Sequence, residues 1–153
     1  MVGSSDRPGP ILSAGDRALL DAARTATLAT LDADGRPRLV PICLVVEATA
    51  DVIWSPLDEK PKTIDDPHGL ARVRDILARP QVDLLVQRWS EDWTELAWLR
   101  LAGGAVLAEP AEVPAGIVDA LRARYPQYAE HDLPHRPMLR IAIERARRWS
   151  AAG

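Results

Sequence analysis

Apolar and polar positions alternate along several short stretches of the chain, and fewer stretches carry helical spacing. Gln81–Trp89 is the plainest alternation. Val82, Leu84 and Val86 fall on one side, and Asp83, Leu85 and Gln87 on the other, which predicts a strand. Thr94–Leu107 predicts a long strand, with Trp98 and Arg100 on one face and Leu99 and Leu101 on the other. Gly103-Gly104 within it predicts a bulge or a barrel corner. Thr25–Leu31 is rich in threonine and small apolar residues and suits a strand. Asp32-Ala33-Asp34-Gly35 then supplies a turn, with Gly35 available for positive φ. Arg36–Val46 returns as a second strand. Pro37 and Pro41 lack amide hydrogens, so this strand is expected to pair incompletely, leaving an irregular or edge segment at Val40-Pro41-Ile42. Such a segment offers backbone amides and carbonyls to a flat polar ligand, or is an ordinary sheet edge. Val45–Glu47 and Asp51–Ser55 read as a further strand pair. Met138–Ile143 reads as the last strand, followed by a tail, RARRW.

Three helices are expected. Ser13-Ala14-Gly15-Asp16 has the form of a capping box ahead of Leu19, Leu20 and Ala23, which predicts a helix from about Ala14 to Ala23. Asp66-Pro67 is a good helix start. Leu70, Val73, Ile76 and Leu77 form its apolar stripe, and Pro80 ends it. Pro114–Arg124 carries Val113, Ile117 and Leu121 along one side and is closed by Tyr125-Pro126-Gln127-Tyr128. Residues 1–12 read as a flexible N-terminal arm and 13–150 as one domain. The order of elements suggests a mainly β protein, a closed antiparallel barrel with peripheral helices.

The length, 153 residues, is enough for one domain with a real core. A net charge of −3 argues against a nucleic-acid partner. No apolar run reaches spanning length, and the first ten residues do not resemble a signal peptide. A cytoplasmic protein with no membrane partner is the expectation. Cys43 is the only cysteine and reads as a small buried residue. His131 and His135 are four apart, but Pro134 and Pro137 oppose the helix that would align them on a metal. No Ser-His-Asp spacing and no glycine-rich phosphate loop is present, so no catalytic side chain is assigned. An enzyme with so few acid–base candidates can still work if a bound cofactor does the chemistry.

The chain has two lysines, Lys60 and Lys62, and they flank one proline. Trp54–Arg74 reads as a strand end, a loop carrying both lysines and then a helix, a natural place to hold a phosphate. Two solvated lysines on a surface loop are the plainer alternative. Arg72 and Arg74 lie off the apolar stripe of the helix, turned to the loop or to solvent. Trp89, Trp93 and Trp98 gather around one strand connection, as core, as dimer interface or as a stacking surface for a flat ring.

These segments carry a resemblance. TATLATLDADGRPRLVPICLVV, WSPLDEKPK with LARVRDILARPQVDLLV, EDWTELAWLRLAGGAVL and LRARYPQY together resemble the pyridoxamine 5′-phosphate oxidase-like split barrel family. More closely, they resemble its actinobacterial subgroup of probable coenzyme F420-dependent enzymes. The resemblance runs from about residue 17 to Trp149, and the lysine loop, E-D-W and R-Y-P-Q-Y are its more specific parts.

The resemblance implies a homodimer of six-stranded antiparallel split β-barrels with a cofactor in each cleft between subunits. It implies that Lys60 and Lys62 hold the phosphate side of the cofactor, with Ser55 at the strand end and Arg72 at the start of the next helix. It sets the ring against the backbone of Val40, Pro41 and Ile42, with Trp93 and Trp98 near the cleft. The function implied is hydride transfer between reduced F420, a deazaflavin, and a small unsaturated or oxidised substrate. The alternatives are an FMN-dependent oxidase or reductase, and a protein that binds a deazaflavin or tetrapyrrole without turnover. The chain departs from the subgroup at Asp75, where asparagine is usual, and at Ile64-Asp65-Asp66, where basic residues are usual.

Overall fold

The computed structural model describes residues 9–57 and 66–153. Helix α1 (Ala14–Ala22) opens with the expected capping box: the Asp16 amide donates to Ser13 Oγ at 3.1 Å, and the Ser13 amide donates to Asp16 Oδ2 at 3.0 Å. Strands β1 (Ala26–Leu31) and β2 (Pro37–Ile42) form a hairpin turned by Gly35 at φ 77°. Strands β3 (Val45–Val46) and β4 (Val52–Pro56) pair next. Then follow α2 (Ala71–Ala78), β5 (Gln81–Arg88), β6 (Ala97–Ala108), α3 (Ile117–Arg124) and β7 (Met138–Ser150). Short 3₁₀ turns occupy Pro67–Gly69, Trp93–Glu95, Pro110–Glu112 and Pro126–Glu130. The seven strands pair antiparallel in the order β2-β1-β5-β6-β7-β4-β3. Among the described residues no helix is long and apolar enough to cross a membrane.

The sheet curls around one core, and β2 and β3 are its two ends with no ladder between them. The barrel is therefore split, not closed as its element order alone suggests, and it has seven strands where six were expected. Six is the count the resemblance implies; a break at Cys43-Leu44 ends β2 and leaves β3 as the separate strand read at Val45–Glu47. The expectation of incomplete pairing for β2 is also corrected: all six residues pair with β1. The Asp32 amide donates to the Arg36 carbonyl at 2.9 Å, which sets the alternation of the ladder. That alternation puts the backbone of Pro37, Leu39 and Pro41 on the outer edge, where a missing amide costs no ladder bond. The two prolines instead protect an open edge.

Several further boundaries differ, α2 beginning at Ala71 rather than at Asp66-Pro67 and β6 at Ala97 rather than Thr94. The tail RARRW is the second half of β7, paired with β6 out to Ser150 opposite Ala97. Its polar residues hide a strand from any reading that looks for apolar alternation. The ladder between β6 and β7 slips by one residue between Ala102 and Gly103, so the expected bulge is there. A Cβ on Gly103 would lie 2.2 Å from the Ala142 carbonyl oxygen, which is why this position is glycine. Leu77, assigned to the apolar stripe of α2, is 63% exposed, while Leu70, Val73 and Ile76 are buried. α2 is only eight residues long, and three positions suffice to seat it on β1 and β6.

A second apolar cluster forms where α3 covers β3 and β4, around Trp54, Leu121, Tyr125 and Tyr128. Arg124 ties it to α1, donating to the carbonyls of Leu20, Asp21 and Ala23 and so supplying the C-terminal cap that α1 lacks. The Tyr125 hydroxyl donates to the Arg24 carbonyl at 3.0 Å and accepts from the Leu44 amide at 3.0 Å. The R-Y-P segment is thus a strut between α1, α3 and the β2–β3 break. Ile11 and Leu12, read as part of the N-terminal arm, donate their amides to Asp51, and Leu12 is buried.

Candidate functional site

Period two gives β1, β5, β6 and β7 an inner and an outer face. Leu28, Leu84, Leu101 and their neighbours face the core. On the outer face the register sets Pro41, Thr27, Leu85, Arg100 and Arg147 side by side across five strands. The next row reads Leu39, Ala29, Asp83, Ala102 and Arg145. These rows floor a groove of about 710 Å³. That volume falls in the usual range for small-molecule sites. One flank, on β1 and β2, is apolar, and Leu39 is 66% exposed on it. The other flank, on β6 and β7, carries three guanidinium groups. Beyond them Trp98 stacks on Trp149 at 6.5 Å between ring centroids, and the Arg100 guanidinium lies 5.2 Å from the Trp98 ring centre. A flat ring fits this groove by size and by the apolar part of its floor, Thr27, Ala29 and Leu85, and the three guanidinium groups on the wall suit an anionic group beside it.

The residues expected to hold a cofactor are distributed as follows. Lys60 and Lys62 lie outside the described residues. Val40 and Ile42 turn their side chains to the core, Pro41 faces out, and the free backbone edge of β2 runs past the groove. Ser55 is 1% exposed and sits on the interior side of β4, in alternation with Ile53 and Leu57. Arg72 is half-buried in the first turn of α2. Trp93 is 69% exposed on its 3₁₀ turn. Ser55 pairs with Leu139, whereas Trp98 pairs with Trp149, ten residues further along β7. At about 3.3 Å per residue that is roughly 33 Å of strand. One chain therefore does not bring Trp98 to the Ser55 end.

Asp75, the departure noted in the sequence, has a defined role. Its carboxylate is 7% exposed and accepts from Thr30 Oγ1 at 2.7 Å and from Arg38 Nε at 2.7 Å. Burial alone would raise this carboxyl, but the bonds from Arg38 and Thr30 and the nearby charges of Arg38 and Arg74 hold it below the usual range. The hydrogen bond to Asp75 in turn raises Arg38. The bridge locks β2 to α2, and asparagine would offer Arg38 no charge.

Six residues after Lys62 in sequence, His68 Nε2 lies 2.8 Å from Glu109 Oε1 and its Nδ1 lies 2.8 Å from Asp66 Oδ1. Two carboxylates on one ring require both nitrogens to donate, which only the imidazolium does. The bonds to Glu109 and Asp66 accordingly raise His68 above its ordinary value. Among the described residues no group of three or more His, Cys, Asp and Glu is placed to hold a metal.

The sequence reading missed Arg100, Arg145, Arg147 and Trp149 as members of one surface. The signal was available for Arg100, already assigned to the Trp98 face. It was hidden for the other three by reading the end of β7 as a tail.

Comparison with known proteins follows this geometry. No curated protein matches the chain in sequence. Among solved structures, the conserved hypothetical protein Rv2991 from Mycobacterium tuberculosis superimposes with a TM-score of 0.70 at 20% identity, covering 95% of this chain and 89% of that one. A protein described as an F420 reductase gives 0.64 at 17% identity, covering 89% and 98%. The heme storage protein HutZ from Vibrio cholerae gives 0.59 at 15% identity, covering 87% and 89%. At these identities the likeness concerns the fold. Residues 14–150 match the family model described as pyridoxamine 5′-phosphate oxidase, which takes in every strand and helix set out above, and the chain belongs to that family.

Proposed function

We propose that this chain is an oxidoreductase that binds coenzyme F420 and passes hydride between it and a small unsaturated or oxidised substrate. The observation that carries the reading is the groove on the outer sheet face, with an apolar flank and the open edge of β2 alongside. Membership of the family and the fold shared with an F420 reductase support it. When bound, F420 supplies a flat ring that gives or takes hydride, and FMN is the alternative ring of the same shape.

The chain's own residues would bind, orient and keep water out. Lys60 and Lys62 would hold the anionic tail, with Ser55 and Arg72 at the two ends of their loop. The Leu39 amide and the carbonyls of Pro37, Leu39 and Pro41 would meet the polar edge of the ring. Trp93 and Trp98 at any one cleft would come from a different copy of a homodimer than Ser55 does, because Ser55 and Trp98 of one chain stand at opposite ends of β7. Leu31, Leu39 and Leu85 give that copy an apolar surface to cover.

The test is a titration of the purified protein with F420 and, separately, with FMN, followed by tryptophan fluorescence. Saturable quenching by F420 with weaker or no response to FMN supports the reading. The reverse order selects the flavin alternative. Tight F420 binding with no hydride transfer to any acceptor would leave a binding protein in place of an enzyme. Light scattering should give twice the chain mass, and a monomer that binds F420 would contradict the shared cleft.

A further inference from the structure

We propose that the cationic flank of the groove selects the substrate, and that the substrate is a flat conjugated molecule bearing a carboxylate. This rests on the reading of the groove as the cofactor cleft and names the substrate class for it. Arg100 and Arg147 are directly opposed in the register of β6 and β7, and Arg145 follows on the same face two residues along β7. Directly opposed side chains stand about 5 Å apart at Cβ, and like charges there disfavour the fold. Elsewhere the chain pairs such charges: Arg17 with Asp51, Arg38 with Asp75, and Arg148 with Asp16. Among the described residues Arg100, Arg145 and Arg147 have no carboxylate partner, and Asp83 is the one acid lining the groove. Two positive charges remain uncompensated there.

A planar guanidinium pairs with a carboxylate through two parallel hydrogen bonds, and its face packs on flat apolar surface. Arg100 already lies over Trp98. The floor of Thr27, Ala29 and Leu85 is low and apolar, so it suits a flat body more than a branched one. Charge complementarity therefore favours an anionic substrate over a neutral one. The cofactor's own anionic tail is assigned to the lysine loop, which leaves the arginines for the molecule that meets the ring.

The experiment measures binding of 2-naphthoate and its uncharged isostere 2-naphthamide to the full chain by calorimetry, with and without F420. The expected result is at least about ten-fold tighter binding of the carboxylate, the equivalent of one charge-assisted bond. Arg100→Gln with Arg147→Gln should abolish that preference and leave F420 affinity within about two-fold, while Arg36→Gln in the β1–β2 turn changes neither. Equal affinity for the two probes, or a preference that survives the double substitution, would overturn the proposal. So would loss of F420 binding in the double variant, since the arginines would then hold the cofactor. Carboxylate preference in a protein that never binds F420 would sustain the anion site and remove the cofactor reading beneath it.

Discussion

Arg38 and Arg147 stand on strands of one sheet under opposite conditions. Arg38 meets Asp75 at 2.7 Å, and the same carboxylate is held by Thr30. Arg147 faces Arg100 across the ladder. One guanidinium joins β2 to α2, and the other has no carboxylate partner among the described residues. The contrast extends to their surroundings. Around α1, α3 and β2, polar groups are tied into struts by Arg17, Arg124 and Tyr125. On the outer face of β6 and β7, arginines and tryptophans are stacked but not bridged. A fold spends its paired charges on stability, and an unpaired row on one wall of a groove is better explained by binding.

Breaking the paired side should cost the most. Gly103→Val drives a side chain into the Ala142 carbonyl at the bulge, and a loss of about 3 kcal/mol in urea unfolding is expected. Asp75→Ala leaves Thr30 and Arg38 without their acceptor, for a loss of about 2 kcal/mol. The same bridge has a pH signature. The Asp75 carboxyl is depressed in the folded state, so its contribution is present above the ordinary value of 3.8 and disappears as pH falls through the lower folded value. Asp75→Asn should flatten that part of the acid unfolding curve. Tyr125→Phe strands the buried Leu44 amide and should cost about 1.5 kcal/mol by the same measurement.

The unpaired side should behave in the opposite way. Arg147→Gln is expected to change stability by less than about 0.5 kcal/mol. His68 lies between the two cases. Its folded value is raised, so the clasp on Glu109 is complete below the ordinary 6.5 and is lost as pH rises through the higher folded value. An NMR titration of the His68 ring should report a midpoint above 6.5 that falls back in Glu109→Gln.

Much of the fold was legible from residue chemistry. Ser13 and Asp16 announce the start of α1, and Gly103-Gly104 announces the bulge, because each requirement is local. Pro37 and Pro41 were legible as edge residues but misread as breaks. Both fall on the same parity of the strand, and the ladder uses only the other parity. The arginine wall was the least legible part. It exists only when β6 and β7 are aligned, and the run after Ile143 carries too few apolar positions to announce a strand. Asp75 stands out in the sequence only as a departure from the subgroup, which has asparagine there. In the structure it is a brace that holds β2 to α2.

The most direct measurement is an F420 titration of Lys60→Ala with Lys62→Ala beside the unsubstituted chain, each with its melting temperature. The account predicts that the double variant melts as the parent does and loses at least about ten-fold in affinity. Unchanged affinity at unchanged melting temperature would contradict it.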